Sequence, residues 1–373
     1  MPDDRSDRLD AGDLSRNERQ ILGMVRRRGP MPRAALAQAC GVSAQAITKL
    51  TRKLISLGYL QESEVVRGKV GQPSTPLALN PEGARFLGLK LGRRLVELAL
   101  VDFAGQVRLH RQEVYGFPDP DRVIAFARQG ISTFLTNTPS AVRDRIRGLG
   151  IATPYRLWDW GTEMRIWHDR DLRGELARDL PFPVFLDNDA TTACGAELMF
   201  GQHRLPPDFL HVYIAHFCGG GIVLDGRLRH GPTRNAGALG SMPLAGGAQL
   251  LDRASVSSLE QRLGRSLPPD DIGWDVPDAT EAVWVNDAAE ALAFAAMSAV
   301  ALVDLPLVVI DGAVPPGTRT RLADATRRAI AAMPSAGLDR PQVVEGSLGR
   351  HARVLGAAAL PLSHFFELDG ELG

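Results

Sequence analysis

The sequence predicts an α/β protein whose first eighty residues fold apart from the rest as a small module of helices and a hairpin. Three observations carry this. Apolar residues recur at helical spacing on both sides of a glycine turn in residues 33–57. A basic, glycine-rich segment then separates two strand-like runs, and from residue 85 onward short apolar runs alternate with helical patterns, the order expected of sheets covered by helices. Charge divides at the same place: residues 15–80 hold eleven Lys and Arg against three Asp and Glu, while residues 81–373 hold thirty against thirty-five. A formal net charge of zero therefore conceals a basic front and a mildly acidic body.

In the front module a first helix is expected over residues 17–28. The following stretch, RAALAQACGVSAQAITKLTRKLISL, reads as two helices meeting at Gly41. Its second half carries two stripes: Ile47, Leu50, Leu54 and Leu57 lie on one side, and Gln45, Thr48, Lys49 and Arg52 on the other. Ser43 stands where an N-cap belongs, so the second helix is expected to begin at Ala44. In a helix of this build the small or polar side chains of Ala44, Gln45, Ala46 and Thr48 can meet base edges, and Lys49 and Arg52 can meet phosphates. Ser43 at the helix start and Arg33 on the preceding helix complete this set of candidate contacts. The competing reading is a helical hairpin with a solvated basic face. Beyond Gly58 the runs YLQESEVV and TPLALN flank a tip, RGKVGQP, which makes a basic hairpin. Three helices and such a hairpin are a winged helix-turn-helix, with Arg67 and Lys69 on the wing as candidates for the DNA backbone or minor groove. The basic charge sits where counterion release on double-stranded DNA needs it.

At 373 residues the chain suggests two or three domains, and 45% hydrophobic residues can fill a real core. Cys40, Cys194 and Cys218 are far apart and form no CxxC pair, which fits a reducing cytoplasm and indicates no disulfide framework. Residues 1–14 lack an apolar run and read as a disordered tail rather than a signal peptide. The longest apolar run, 291–303, is shorter than the ~18 residues of a membrane span, so no membrane partner is expected.

The body begins with a three-stranded meander over residues 85–114. A helix over 120–137, a strand over 146–152, a helix over 172–179 and a strand over 183–186 follow. That strand ends on Asp187-Asn188-Asp189 and runs into a helix over 190–199. Polar groups at the carboxyl end of a strand, facing a helix start, are where open α/β sheets place ligands. A strand to Ala215, a turn at Gly219-Gly220-Gly221, a second strand to Leu224 and an Asp225-Gly226 tight turn are expected next. The glycines could admit a phosphate or could simply make a flexible hairpin. Helices over 255–263, 282–303, 318–333 and 352–360 and strands over 306–310 and near 343 complete the order.

This order resembles the ROK family, which contains bacterial sugar kinases and sugar-responsive transcriptional repressors. The resemblance covers nearly the whole chain and is carried by VGQPSTPLALNPEGARFLGLKLG, DNDATTACGAELMFG, YIAHFCGGGIVLDGRLRHG, NAGALGSMPL, RASVSSLEQRLG, VVIDGAV and SLGRHARVLGAAAL. It implies a two-lobed, actin-like or sugar-kinase-like body behind the winged helix-turn-helix of residues 15–80. One lobe would span 81–200 and be completed by 350–373, and the other would span 201–349. Only the repressor branch carries such an N-terminal module.

The resemblance also identifies what the kinases have and this chain lacks. Their Asp-x-Gly-Gly-Thr-Lys turn, where the acid helps hold the metal of the nucleotide, is matched here by Lys90-Leu91-Gly92-Arg93-Arg94-Leu95. The kinase base falls on Asp189, with Asn188 beside it on the sugar hydroxyls. Without a positioned phosphoryl donor a carboxylate cannot run the transfer, so both read as relics or effector contacts. The family's Glu-x-Gly-His element aligns with Ala238-Leu239-Gly240-Ser241, and its zinc cysteines are missing from PLAGGAQLLDRAS. No metal and no cofactor are expected. The expected function is a DNA-binding transcriptional regulator, a repressor of carbohydrate-related genes, which binds a palindromic operator as a homodimer or tetramer. A sugar or sugar derivative is the expected effector, held by Asn188 and Asp189 with Thr153, Arg234 and Asn235. The alternatives are an ATP-dependent sugar kinase, and a regulator whose ROK domain is an effector-independent scaffold.

Overall fold

The computed structural model describes residues 14–63, 75–203, 205–269 and 271–368. The front module is three helices and a hairpin. Helix α1 (Arg16–Arg28) starts from Ser15, whose hydroxyl accepts from the Glu18 amide while the Glu18 carboxylate accepts from the Ser15 amide at 2.8 Å. Helix α2 (Arg33–Cys40) ends on Gly41 in the left-handed region at φ 66°, and helix α3 (Ala44–Ser56) follows. Strands β1 (Leu60–Glu62) and β2 (Leu77–Leu79) pair antiparallel with Leu60 opposite Leu79, and Met31 bridges to Leu77. The predicted wing residues Arg67 and Lys69 lie outside the described residues. Leu14, expected in a disordered tail, is buried at 7% exposure in the module's core.

The body holds two five-stranded sheets. The first runs β5-β4-β3-β6-β7, made of β3 (Arg85–Leu91), β4 (Leu95–Asp102), β5 (Val107–Val114), β6 (Ile146–Thr153) and β7 (Val184–Asn188). The meander β3-β4-β5 is antiparallel, and β6 and β7 add to it in parallel. Period-two alternation divides the faces. Leu87, Leu89, Leu91, Leu98 and Leu100 pack with helix α4 (Pro120–Asn137), the short α5 (Ser140–Arg143) follows it, and α6 (Leu172–Ala177) joins α4 on that side. Phe86, Ala99 and Val101 face the opposite way. There α7 (Asp189–Phe200) and the C-terminal helix lie between this sheet and the second.

The second sheet runs β10-β9-β8-β11-β12, with β8 (Phe209–Ile214), β9 (Cys218–Leu224), β10 (Arg227–Arg229), β11 (Leu307–Gly312) and β12 (Gln342–Glu345). Its outer face carries α8 (Val256–Leu263), α9 (Asp278–Val303) and α10 (Pro316–Ala332) over Leu210, Val212, Ile214, Val308 and Ile310. Helix α9 is longer than the apolar run suggested: at 26 residues it is long and apolar enough to cross a membrane by length and composition. Here 61% of that apolar window is buried, with Trp284, Ala288, Leu292 and Ala296 in the core of the second lobe.

Two further expectations are corrected. Gly219, Gly220 and Gly221 are not a turn but lie inside β9, opposite Tyr213, Val212 and His211. The chain reverses earlier, where the Ala215 amide bonds the Phe217 carbonyl at 3.2 Å. The glycines serve packing: a Cβ on Gly221 would come within 2.5 Å of the Cys194 Cβ, and one on Gly219 within 2.6 Å of the Ala190 Cβ, so α7 rests on bare backbone. The C-terminal helix α11 (Ala352–Phe366) does not stop before Pro361 but continues through it. Its ring packs on β6, where a Cβ on Gly148 would lie 2.8 Å from the Pro361 Cβ, so tertiary contact outweighs the lost helical bond.

That extra turn of α11 joins the body to the front module. Phe366 is fully buried and meets Tyr59, Phe86 and Phe103 edge-on at ring-centroid distances of 5.1, 5.9 and 4.7 Å. Arg26 of α1 donates to the Phe103 carbonyl at 2.6 Å, and Arg27 pairs with Glu367 at 3.2 Å. The two units therefore share one continuous core rather than a bare linker.

Candidate nucleic-acid interface and inter-lobe cleft

Helix α3 begins as the sequence requires. The Ser43 hydroxyl accepts from the Ala46 amide at 3.2 Å, satisfying one of the first-turn donors. Ile47, Thr51 and Leu54 are buried against α1 and α2, with Leu50 and Leu57 half-buried beside them. Thr51 is the unanticipated member of that face, and its hydroxyl is satisfied by the Ile47 carbonyl at 2.8 Å. On the opposite side Ala44, Gln45, Lys49 and Arg52 are exposed and Ala46 and Thr48 half-buried. Among the described residues, no ion pair engages Lys49 or Arg52. Two shallow grooves share Thr48 and Arg52: one is walled by Ala44, Gln45 and Lys49, the other by Arg33, Ile55, Ser56 and Glu62. Arg33 is otherwise occupied. It pairs with Glu62 at 3.0 Å and donates to Thr51 at 3.4 Å, tying α2 to β1 and α3.

Four of the five cleft residues singled out by sequence come together at the carboxyl ends of β6 and β7, and the fifth, Asn235, follows one of them in the chain. Thr153 and Asn188 are register partners there, and Asp189 opens α7. Asn188 is engaged within its own lobe: its Oδ1 accepts from the Tyr155 amide at 3.1 Å and its Nδ2 donates to Thr191 at 3.0 Å. Asp189 receives an ion pair from Arg353 at 3.0 Å. Arg234, at a left-handed φ of 58°, reaches Asp187 at 3.4 Å from the loop that also carries Asn235. Asp187 is the buried hub of this contact, since its carboxylate also meets His230 Nε2 at 2.9 Å and accepts from the Asn188 amide. Tyr155 closes the same seam by donating to the Thr233 carbonyl at 3.1 Å.

Beside this seam lies a cluster of cations. Lys90 is 2% exposed on β3, with Glu97 at 3.3 Å on β4. Burial, followed by the nearby Arg353, pulls the Lys90 ammonium down to about 8. Burial also pushes the Glu97 carboxyl up, but Lys90, His110 and Arg353 together outweigh it and hold it at about 2. Arg93 donates to the Trp160 carbonyl at 2.6 Å and pairs with Glu163 at 2.8 Å. Arg94 crosses to the second lobe, where it pairs with Glu260 at 2.8 Å and donates to the Leu267 carbonyl at 3.1 Å. Trp160 stacks near Phe217 at 4.9 Å across the same gap. The space left between the lobes at Lys90, Gly92, Arg94, His216, Trp274 and Arg353 is about 30 Å³.

The ROK family pattern matches residues 86–363, and a winged helix-turn-helix DNA-binding pattern matches residues 14–61. The chain belongs to the ROK family. Among its relatives, the uncharacterized protein y4fQ of Sinorhizobium fredii is 25% identical over 369 residues, covering 95% of this chain and 92% of that one. The DNA-binding transcriptional repressor Mlc of Escherichia coli is 25% identical over 57% of this chain and 54% of its own length. The xylose repressor of Bacillus subtilis is 22% identical over 61% and 60%. Against these two named repressors the match thus spans little more than half of either protein. Two solved structures share the fold. A ROK family transcriptional regulator homologous to E. coli Mlc superposes with a TM-score of 0.67 at 22% identity, covering 95% of this chain and 97% of that one. A ROK family glucokinase from Streptomyces griseus, solved with glucose and AMPPNP, gives 0.61 at 16% identity over 74% and 99%.

Sequence reasoning about this ROK chain missed His230, Tyr155 and Arg353 as members of the cleft, and named Asp187 only as a polar group at the strand end, not as the hub of the contact. Three of these four stood inside motifs that carried the resemblance, in DND, RLRHG and GRHARVLG. What was missing was the pairing: His230 is 43 residues from Asp187 and Arg353 is 164 from Asp189, and no periodicity links such distances.

Proposed function

We propose that the protein is a DNA-binding transcriptional regulator, a repressor of carbohydrate-related genes that acts in the cytoplasm on a palindromic site as a homodimer. The carrying observation is the exposed face of α3, where Gln45, Thr48, Lys49 and Arg52 stand on a capped helix with both cations free of ion pairs among the described residues. Ala44, Gln45, Ala46 and Thr48 are assigned to base edges, and Lys49 and Arg52 to phosphates; Ser43 caps the helix that presents them. Arg67 and Lys69 on the wing are assigned to the flanking backbone or groove. Arg33 orients α3 through Thr51 and Glu62.

The ROK body is catalytically inactive in this reading. Lys90 stands where the resemblance places a metal-holding acid, and Arg93 and Arg94 fill the turn beside it. Its role is dimerisation and sensing: an effector at Thr153, Asn188, Asp189, Arg234 and Asn235 shifts the operator-competent arrangement only if it binds the two arrangements unequally. A second reading, an effector-independent scaffold, is favoured by one observation: the Asn188 amide and the Asp189 carboxylate are already engaged by Tyr155, Thr191 and Arg353.

Fluorescence anisotropy on DNA upstream of the gene and its neighbours, at stated salt, tests the reading. Specific binding released by one sugar or sugar derivative is expected; specific binding that no compound moves supports the scaffold. Sugar-dependent ADP release in a coupled assay would overturn both.

A further inference from the structure

The front module is anchored to the body at two places that lie far apart along the chain. One is the covalent link, a 3-10 turn over Pro81–Gly83. Asn80 caps that turn and donates to the Gly58 carbonyl at 2.8 Å, while the Phe103 amide donates to the Pro81 carbonyl at 3.2 Å. The other is the end of α11, which α1 grips through three arginines. Arg19 donates to the His364 and Glu367 carbonyls at 3.3 and 3.4 Å, which places a cation on carbonyls left open at the helix end. Arg27 and Arg26 take one carboxylate oxygen of Glu367 each, at 3.2 and 3.5 Å.

The two ion pairs of this clamp differ in kind. The Arg27 side chain is exposed, whereas that of Arg26 is 3% exposed and lies over the Phe103 ring at 4.8 Å. Burial pulls the Arg26 guanidinium down to about 10, and Glu367 is the largest influence opposing it. Gly23 makes room for the contact: a Cβ there would lie 2.9 Å from Glu367 Oε2. Glycine weakens a helix interior, so its place in the middle of α1 is explained by this close approach. Helix α11 in turn rests on bare backbone of the first sheet, since a Cβ on Gly88 would lie 2.3 Å from the Val354 carbonyl oxygen. The clamp therefore ties the module's orientation to that sheet.

Away from the clamp the joint is open. A groove of about 250 Å³ separates Val25, Pro30 and Leu79 of the module from Ala104, Met199 and Phe200 of the body. A single covalent link would let the module rock into this groove, and a second anchor at a distant point fixes its angle.

We propose that Glu367 is a positioning residue for DNA recognition: by holding α1 against α11 it sets the angle at which α3 leaves the body, and with it the half-site spacing that a dimer accepts. Two recognition helices must reach grooves one helical turn, about 34 Å, or a multiple of it apart, so a fixed angle admits one spacing and a loose one admits several. This rests on the dimeric DNA-binding reading above and names the contact that sets its geometry.

The probe is a palindromic duplex selected by the full wild-type chain from randomised DNA. It is compared with versions whose central spacer is two base pairs longer or shorter and with an isolated half-site, by fluorescence anisotropy at one salt concentration. The wild type is expected to bind the altered spacers about tenfold more weakly. Glu367→Gln should cut that penalty to about threefold and leave half-site affinity unchanged, a pattern that loss of folding cannot give because unfolding lowers both. Arg27→Gln removes the exposed side of the clamp, keeps the buried Arg26 pair, and should give an intermediate penalty. A full penalty in both variants, or none in the wild type, overturns the role of Glu367. Equal loss on every duplex, the half-site included, overturns it as well by making Glu367 a residue of folding alone. Selection of an unpaired half-site overturns the dimeric reading and this assignment with it, and selection of no site at all overturns the regulator itself.

Discussion

The cations of α3 and the cations of the cleft are the same residue types in opposite circumstances. Lys49 and Arg52 are exposed and without ion pairs among the described residues, whereas Lys90, Arg93, Arg94 and Arg353 each hold a carboxylate within 3.3 Å. An exposed, unpaired cation costs little to keep and is available to a polyanion, which is what phosphate contacts on DNA require. A buried cation needs its partner, because removing one half leaves an uncompensated charge out of water. The first set can be changed without harm to the fold, whereas Lys90, the fully buried member of the second, cannot.

The largest effect follows from this asymmetry. Lys90→Met alone leaves Glu97, which is 4% exposed, without its ammonium partner and with only His110 at 3.4 Å, and should cost about 3 kcal/mol in urea unfolding. Combining it with Glu97→Gln should recover much of that loss. A harmless single variant would break the comparison, since it would mean that the buried pair is not holding the lobe.

The pair also predicts a pH dependence, in two windows. Glu97 is held at about 2 against an ordinary 4.5, so the unfolded chain binds the extra proton between these values. Its stabilisation is present above pH 4.5 and lost as pH falls toward 2. Lys90 is held at about 8 against 10.5, so between those values the unfolded chain again binds more protons and stability should rise with pH. Unfolding midpoints of the wild type and the double variant across both windows check this, and parallel curves would refute the assignment to this pair.

How much of this contrast was legible in the sequence depends on the range of the interaction. Apart from Thr51, the course of α3 was legible: its stripes, its Ser43 cap and the Gly41 turn all act within four residues, and helical spacing reports them. The meander of β3, β4 and β5 was equally plain. Sequence patterns failed where a distant segment decided the outcome. The glycines of β9 looked like a turn because nothing local records that α7 lies on them. Pro361 looked like a stop because nothing local records that its ring rests on β6. Leu14 looked like tail because its burial needs the assembled module. In the cleft Lys90 was noticed as a substitution, but its partner Glu97 sits across a strand pair, and Arg353 reaches Asp189 from the far end of the chain.

A smaller effect belongs to the helix start. Ser43→Ala removes the bond to the Ala46 amide and should cost about 1 kcal/mol of stability. Since it leaves Lys49 and Arg52 in place, it should lower DNA affinity only as far as the first turn of α3 frays. A much larger loss of affinity would mean that Ser43 itself touches DNA, which would move it from cap to contact.

The smallest effect on stability should accompany the clearest effect on recognition. Arg52→Ala and Lys49→Ala should each change urea unfolding by no more than about 0.5 kcal/mol, because both side chains are exposed. Each should nevertheless weaken binding to all DNA sequences and lower the salt slope by about 1. Gln45 occupies the same exposed face, one turn nearer the helix start than Lys49 and two turns nearer than Arg52, carries no charge and can pair with a base edge on two atoms. Gln45→Ala should therefore leave the salt slope unchanged and instead alter which bases are preferred, measured by anisotropy over single-base variants of one site. If all three variants lose discrimination equally, base and phosphate contacts are not divided along α3 as its two kinds of side chain imply.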